Sequence, residues 1–162
     1  MTTPLSRRNL LHAAVAFSAP SVAHRSQACE YFAPTLRVTH PWTRATPASA
    51  GFAVLGMRFD DVSQDDQLLD VQTPVAKSVV LVRSAPSSVV GAGVVTVALP
   101  LDIPAGSQTV LGQADGGLSG PHLRLLGLTQ DLEAGRSYPL QLVFKHGGSV
   151  KAQLNVDYAR FA

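Results

Sequence analysis

The chain reads as an all-β protein, an antiparallel sandwich or barrel, and three observations carry that expectation. Beyond Thr35 the apolar residues recur with a period of two rather than 3.6, the runs are short and separated by turn residues, and no stretch carries a convincing amphipathic helix. With 162 residues, 46% hydrophobic and 6% aromatic, the chain supports one core of ordinary size and is too short to suggest two.

In order, the β-rich runs fall at residues 36–39, 51–59, 67–71, 78–83, 94–99, 108–111 and 122–128. The gaps hold residues that turn a chain: the aspartates of 60–66, Pro86-Ser87-Ser88, Pro104-Ala105-Gly106-Ser107 and the glycines of 116–121. The cleanest alternation closes the chain. Val150, Ala152, Leu154, Val156 and Tyr158 are separated by Lys151, Gln153, Asn155 and Asp157, as a half-buried strand requires. Leu140, Leu142 and Phe144 alternate likewise, and His146-Gly147-Gly148-Ser149 supplies the turn of a hairpin between the two runs. Residues 128–134 have room for a single helical turn.

Residues 1–28 read as an export signal of the twin-arginine kind. Arg7 and Arg8 precede a modest apolar stretch over 10–23, broken by His12, Ser18, Pro20 and Ser21, with small-x-small sites ending at Ala23 and Ala28. That stretch is too short and interrupted to span a bilayer, and no later segment approaches about 18 apolar residues. Residues 29–162 are therefore expected as one soluble periplasmic domain. The basic pI of about 9.0 owes much to the leader: without Arg7, Arg8 and Arg25, ten basic residues face eleven acidic ones. With no Lys/Arg cluster, the remainder carries no electrostatic footprint for nucleic acid or anionic lipid. Cleavage after Ala28 leaves Cys29 at the N-terminus. A lipobox wants an aliphatic residue three before the cysteine, and Ser26 stands there, which argues against lipidation. Cys29 is the only cysteine, so the core must hold without an internal disulfide.

His40-Pro41-Trp42-Thr43-Arg44-Ala45-Thr46-Pro47 resembles the opening signature of the periplasmic copper chaperones of the PCuAC type. Further segments are similar to that family in the same order: Asp66-Gln67-Leu68-Leu69, Pro74-Val75-Ala76-Lys77-Ser78-Val79, the Leu99-Pro100-Leu101-Asp102-Ile103-Pro104-Ala105-Gly106 strand and turn, and the closing half from His122 to Leu140. The resemblance covers about three-quarters of the chain. It implies a cupredoxin-like antiparallel β-sandwich, exported and related to proteins that carry copper for cytochrome oxidase assembly. A periplasmic copper-accepting protein or an oxidase assembly factor is the partner it implies.

The resemblance also supplies a ligand pattern: a His, then a Met, then a His-x-Met pair, neutral soft-to-borderline donors suited to holding and releasing Cu(I). This chain departs from it at three of four points. Val82 stands at the first His position, the Gly91-Ala92-Gly93 stretch lacks the Met, and Arg124 replaces the Met of His-x-Met. His122 remains, behind a longer loop at 111–121. A guanidinium is permanently charged and has no lone pair to offer, so copper is expected to bind weakly or not at all.

Elsewhere the inventory beyond the leader is Cys29, Met57, His40 and His146. A blue-copper centre needs its cysteine on a converging loop, and Cys29 lies at the N-terminal end; a mobile Cys29 meeting His122 or His40 is the better of the metal readings that use it. The bland readings are His40 as a strand-end residue packed near Trp42, His146 as a solvated hairpin residue, Met57 as core filler and residues 60–66 as a solvated turn lacking calcium-loop spacing. Asp115, Ser119 and His122 lie too close in sequence for a catalytic triad, and no nucleophile elbow or phosphate loop is present, so an enzyme is not expected. Two functions stay open: a copper-chaperone-like protein with a degenerate metal site, and a metal-free binding module that uses Arg83, Arg124 and the glycine-rich loop end.

Overall fold

The computed structural model describes residues 29–84, 94–112 and 120–157. The leader, the 91–93 stretch, Asp115, Ser119 and Tyr158 lie outside the described residues. The described chain forms strands β1 (Glu30–Phe32), β2 (Arg37–Arg44), β3 (Phe52–Asp60), β4 (Asp66–Gln72), β5 (Ala76–Ser84), β6 (Val94–Val97), β7 (Leu101–Ile103), β8 (Thr109–Leu111), β9 (His122–Leu128), β10 (Ser137–Phe144) and β11 (Gly148–Asp157). No helix occurs among the described residues. The turn allowed for at 128–134 is instead tied down by a backbone bridge between Leu132 and Thr46.

Hydrogen bonding runs in one path, β6-β5-β9-β3-β2-β11-β10-β4-β7, with β1 on β2 and β8 on β3. Strand β3 belongs to both layers of the resulting sandwich. Its first half pairs with β9 through Phe52↔Leu126 and Leu55↔Leu123, its second with β2 and β8 through Val38↔Phe59 and Met57↔Leu111. Every pair is antiparallel except β11 with β2, which is parallel. This departs from a wholly antiparallel sheet: the last strand of the hairpin closes the sandwich against the strand of the His40-Pro41-Trp42 segment, running in the same direction. Strand β1 escapes sequence reading, its three residues spanning too little of a period-two pattern to register; β7 shows only in the resemblance of the 99–106 segment to a strand and turn.

The C-terminal hairpin pairs Leu142 with Val150 and Leu140 with Ala152. Its alternating residues, Leu140, Leu142, Phe144, Ala152, Leu154 and Val156, all lie in the core. Phe144 meets Phe59 edge to face, 5.7 Å between ring centroids, the preferred arrangement of two ring quadrupoles.

Two buried carboxylates tie neighbouring strands and turns together, which corrects the reading of residues 60–66 as a solvated turn. Asp60 and Asp66 are buried, whereas Asp61 is exposed. Asp66 accepts from the Thr35 hydroxyl (2.6 Å) and from the backbone N–H groups of Gln67, His146 and Gly147 at 2.7, 2.9 and 2.8 Å. It thereby fixes the β10–β11 turn to β4 and to the segment before β2. Asp60 accepts from Thr39, Arg58 and Gln108. Burial by itself raises both carboxyls, but the donors facing the charged form outweigh it and hold both below the ordinary aspartate value.

A depressed folded pKa contributes stability that is fully present above the unfolded value of about 3.9 and is lost as pH falls through the folded value. Asp66→Asn should therefore destabilise the domain by about 2 kcal/mol at neutral pH, the scale of a charge-assisted hydrogen bond. Urea melts across pH should show the gap between the two proteins narrowing below about pH 4; a gap that widens in acid would contradict that role of Asp66.

Candidate functional site

Strand β9 lies between β5 and β3, and the register on both sides is explicit. Val82 faces His122, Leu81 faces Leu123, Val80 faces Arg124 and Ser78 faces Leu126. On the other flank Leu55 faces Leu123, Val54 faces Arg124 and Phe52 faces Leu126. Because side chains alternate across a strand, Leu55, Leu81, Leu123 and Leu125 fill the core. His122, Arg124 and Leu126 are thrown to the opposite face with Phe52, Val54, Val80 and Val82.

His122 is only 1% exposed. Its Nδ1 lies 2.9 Å from the Gly120 carbonyl, and the Arg124 Nε–H donates to its Nε2 at 3.3 Å. Arginine cannot accept a hydrogen bond, so Nε2 is the accepting nitrogen and Nδ1 carries the proton donated to Gly120. Both ring nitrogens are engaged. The Arg124 guanidinium also stacks over Phe52, 4.2 Å from the ring centroid, a cation–π contact that fixes its plane. Val82, which the sequence resemblance sets at the first His position, is 0% exposed and sits directly across from His122; an isopropyl group offers a metal nothing.

The same row continues into β2. Trp42 pairs with Gly56, and extending the Leu55↔Leu123 register by one residue sets Gly56 beside His122. A Cβ on Gly56 would lie 2.4 Å from the indole, so the ring lies flat across that glycine; Gly112, at φ +68, also abuts it. Trp42 and Gly56 were not singled out from sequence as site residues. The signal lay in the His40-Pro41-Trp42 segment, whose tryptophan is the only one in the chain.

The remaining candidates go elsewhere. His40 sits at a bulge in β2 with φ 48, and its Nε2 lies 3.0 Å from an Asp157 carboxylate oxygen. This contact links β2 to β11. The Cys29 carbonyl accepts from the His40 N–H at 2.7 Å. Its side chain lies beside the Tyr31 hydroxyl, whose pKa is raised first by burial and further by this neighbour. His146 is exposed on the hairpin turn and Met57 is buried in the core. Asp65 accepts from the Ala105 N–H. Arg83 is exposed near the end of β5. Among the described residues no three His, Cys, Asp or Glu side chains converge as a metal site.

The sequence profile of a family described as "Putative lipoprotein LpqE-like" matches residues 36–156. Among solved structures, the chain is 25% identical to the apo PCuAC domain from PmoF1, with a TM-score of 0.63 over 79% of this chain and 98% of that one. The copper-bound PCuAC domain from PmoF2 is 21% identical, with a TM-score of 0.61 over 79% and 97%. The solution structure of apo-DR1885 from Deinococcus radiodurans is 26% identical, with a TM-score of 0.53 over 94% and 97%. No curated protein matches the chain.

Because the indole occupies the space of a Gly56 side chain, Gly56→Ala should destabilise the domain by about 2 kcal/mol, the scale of overpacking a core. It should also shift the emission of the single tryptophan. A variant with unchanged emission and melting would place the indole elsewhere.

Proposed function

Because the chain belongs to the LpqE-like family, we propose that it is an exported, copper-chaperone-like protein whose inherited metal position is held by its own guanidinium. On this reading it works as a binding module that presents the β3–β9–β5 face to a partner. The contact between Arg124 Nε and His122 Nε2 carries the proposal. A copper ion approaching the one accepting nitrogen of His122 would have to displace that N–H and then sit beside a fixed positive charge. At about 4 Å and an effective dielectric of about 20 the repulsion is about 4 kcal/mol, or about three decades of affinity.

The other donors that Cu(I) favours do not compensate. Met57 is in the core, His40 is tied to Asp157, and Val82 replaces an imidazole with an alkyl group. The residues present do not fit a four-ligand Cu(I) centre, so no copper-transfer step is derived for this chain. Delivery of copper for oxidase assembly, to a copper-accepting protein or an assembly factor, rests on the resemblance alone.

Chelator-competition titration with Cu(I) tests the proposal. The unmodified mature chain should bind far more weakly than a four-ligand centre, with residual binding lost in His122→Ala. Val82→His combined with Arg124→Met should bind more tightly than the unmodified chain. Tight one-to-one binding in the unmodified protein, unaffected by His122→Ala, would place a site elsewhere.

A second reading concerns the membrane. No helix of the described residues is long and apolar enough to cross one. The lipoprotein description of the family favours Cys29 as an acylated N-terminus after cleavage at Ala28, against the weight of Ser26 at the position where an aliphatic residue is preferred. The mass of the exported N-terminus separates the outcomes: a diacylglyceryl addition on Cys29 is expected from the family description, and an unmodified chain starting at or before Cys29 would contradict anchoring.

A further inference from the structure

Antiparallel sheets that bury one face turn polar residues outward on the other. The β3–β9–β5 layer does not. Its outward residues include Phe52, Val54, Val80 and Leu126, none of them part of the core cluster, while Val82 and His122 on the same face are buried. Phe52 is 37% exposed, and Val54, Val80 and Leu126 are partly exposed. One cation interrupts this surface. Arg124 has Val54 on one flank and Val80 on the other, with Phe52 and Leu126 paired in the next row. Rows on one face of a strand are about 7 Å apart and strands about 4.8 Å apart, so the patch suits a short extended segment.

Arg124 is also oriented. Its Nε is used by His122 and its plane lies on Phe52, which leaves the fork formed by its two Nη groups. No carboxylate among the described residues lies within ion-pair distance of it. A guanidinium fork pre-set in one plane matches a carboxylate with two parallel N–H···O bonds, and holding it in advance removes ordering cost on binding.

We propose that this face is a docking site for an acidic-apolar segment of a partner protein, one carboxylate seated on Arg124 between Val54 and Val80, and an apolar side chain two residues away resting on Phe52–Leu126 in the next row. This rests on the binding-module reading above and gives the partner its chemistry.

The test is an NMR titration of the mature chain with the acetylated, amidated pentapeptide VLDLV and its asparagine counterpart VLNLV, with sodium acetate as the control for a bare anion. VLDLV should shift the resonances of Phe52, Arg124 and Leu126, and VLNLV should bind at least about tenfold more weakly, the loss of one charge-assisted pair. Arg124→Gln should abolish the preference for aspartate, and Phe52→Ala should weaken both peptides. Because the peptide exchange leaves the protein untouched, misfolding of a variant cannot imitate the result. No shift at the face up to millimolar peptide, equal binding of the two peptides, or equal shifts with acetate would overturn the proposal. The same samples titrated with Cu(I) keep the two readings apart: tight copper would sink the module reading itself, whereas weak copper with no peptide binding sinks the docking site alone.

Discussion

The register of β9 between β3 and β5 is the constraint on which the site depends. It is set from the core side, where Leu123 and Leu125 pack with Leu55 and Leu81. A slip of one residue would turn those leucines outward and drive His122 and Arg124 inward. Each leucine exposed forfeits about 2 kcal/mol of burial, and an unpaired guanidinium in the core costs several more. The core therefore dictates that residues 122 and 124 share the outer face with residue 82 opposite, whatever those residues are. Side chains on such a face can be exchanged without touching the fold, which is why the valine and the arginine at 82 and 124 are compatible with it.

Strands and turns distant in sequence are then tied by polar contacts, with no disulfide available to the single cysteine. Asp66 gathers the N–H groups of Gln67, His146 and Gly147 and the Thr35 hydroxyl, and Asp60 ties Thr39 of β2, Arg58 of β3 and Gln108 beside β8. Such buried charges are tolerable because each is met by several donors. On the site's own flank, Trp42 lying across Gly56 does the corresponding work with apolar surface.

Much of this was legible from residues alone. Nine of the eleven strands fall on the runs marked by period-two alternation, and Leu154 and its neighbours face the core as the pattern requires. The placing of His122 and Arg124 on one face follows from two-residue spacing. What stayed hidden depends on contacts between distant segments. Nothing local distinguishes the buried Asp60 and Asp66 from the exposed Asp61, because the partners of Asp66 come from residues 35 and 146–147. The bond from Arg124 to His122 and the parallel closure of β11 on β2 are invisible for a related reason: a pattern gives the face a side chain takes, and only the fold gives what it meets.

The central claim is that the accepting nitrogen of His122 belongs to Arg124 and not to a metal. Long-range proton–nitrogen correlation on the His122 ring, recorded with and without one equivalent of Cu(I), tests it most directly. The account predicts a single Nδ1–H tautomer whose Nε2 resonance changes in Arg124→Gln and stays far from a metal-bound position with one equivalent of Cu(I). A ring in the Nε2–H form, or an Nε2 resonance displaced to a metal-bound position by one equivalent of Cu(I), would contradict it.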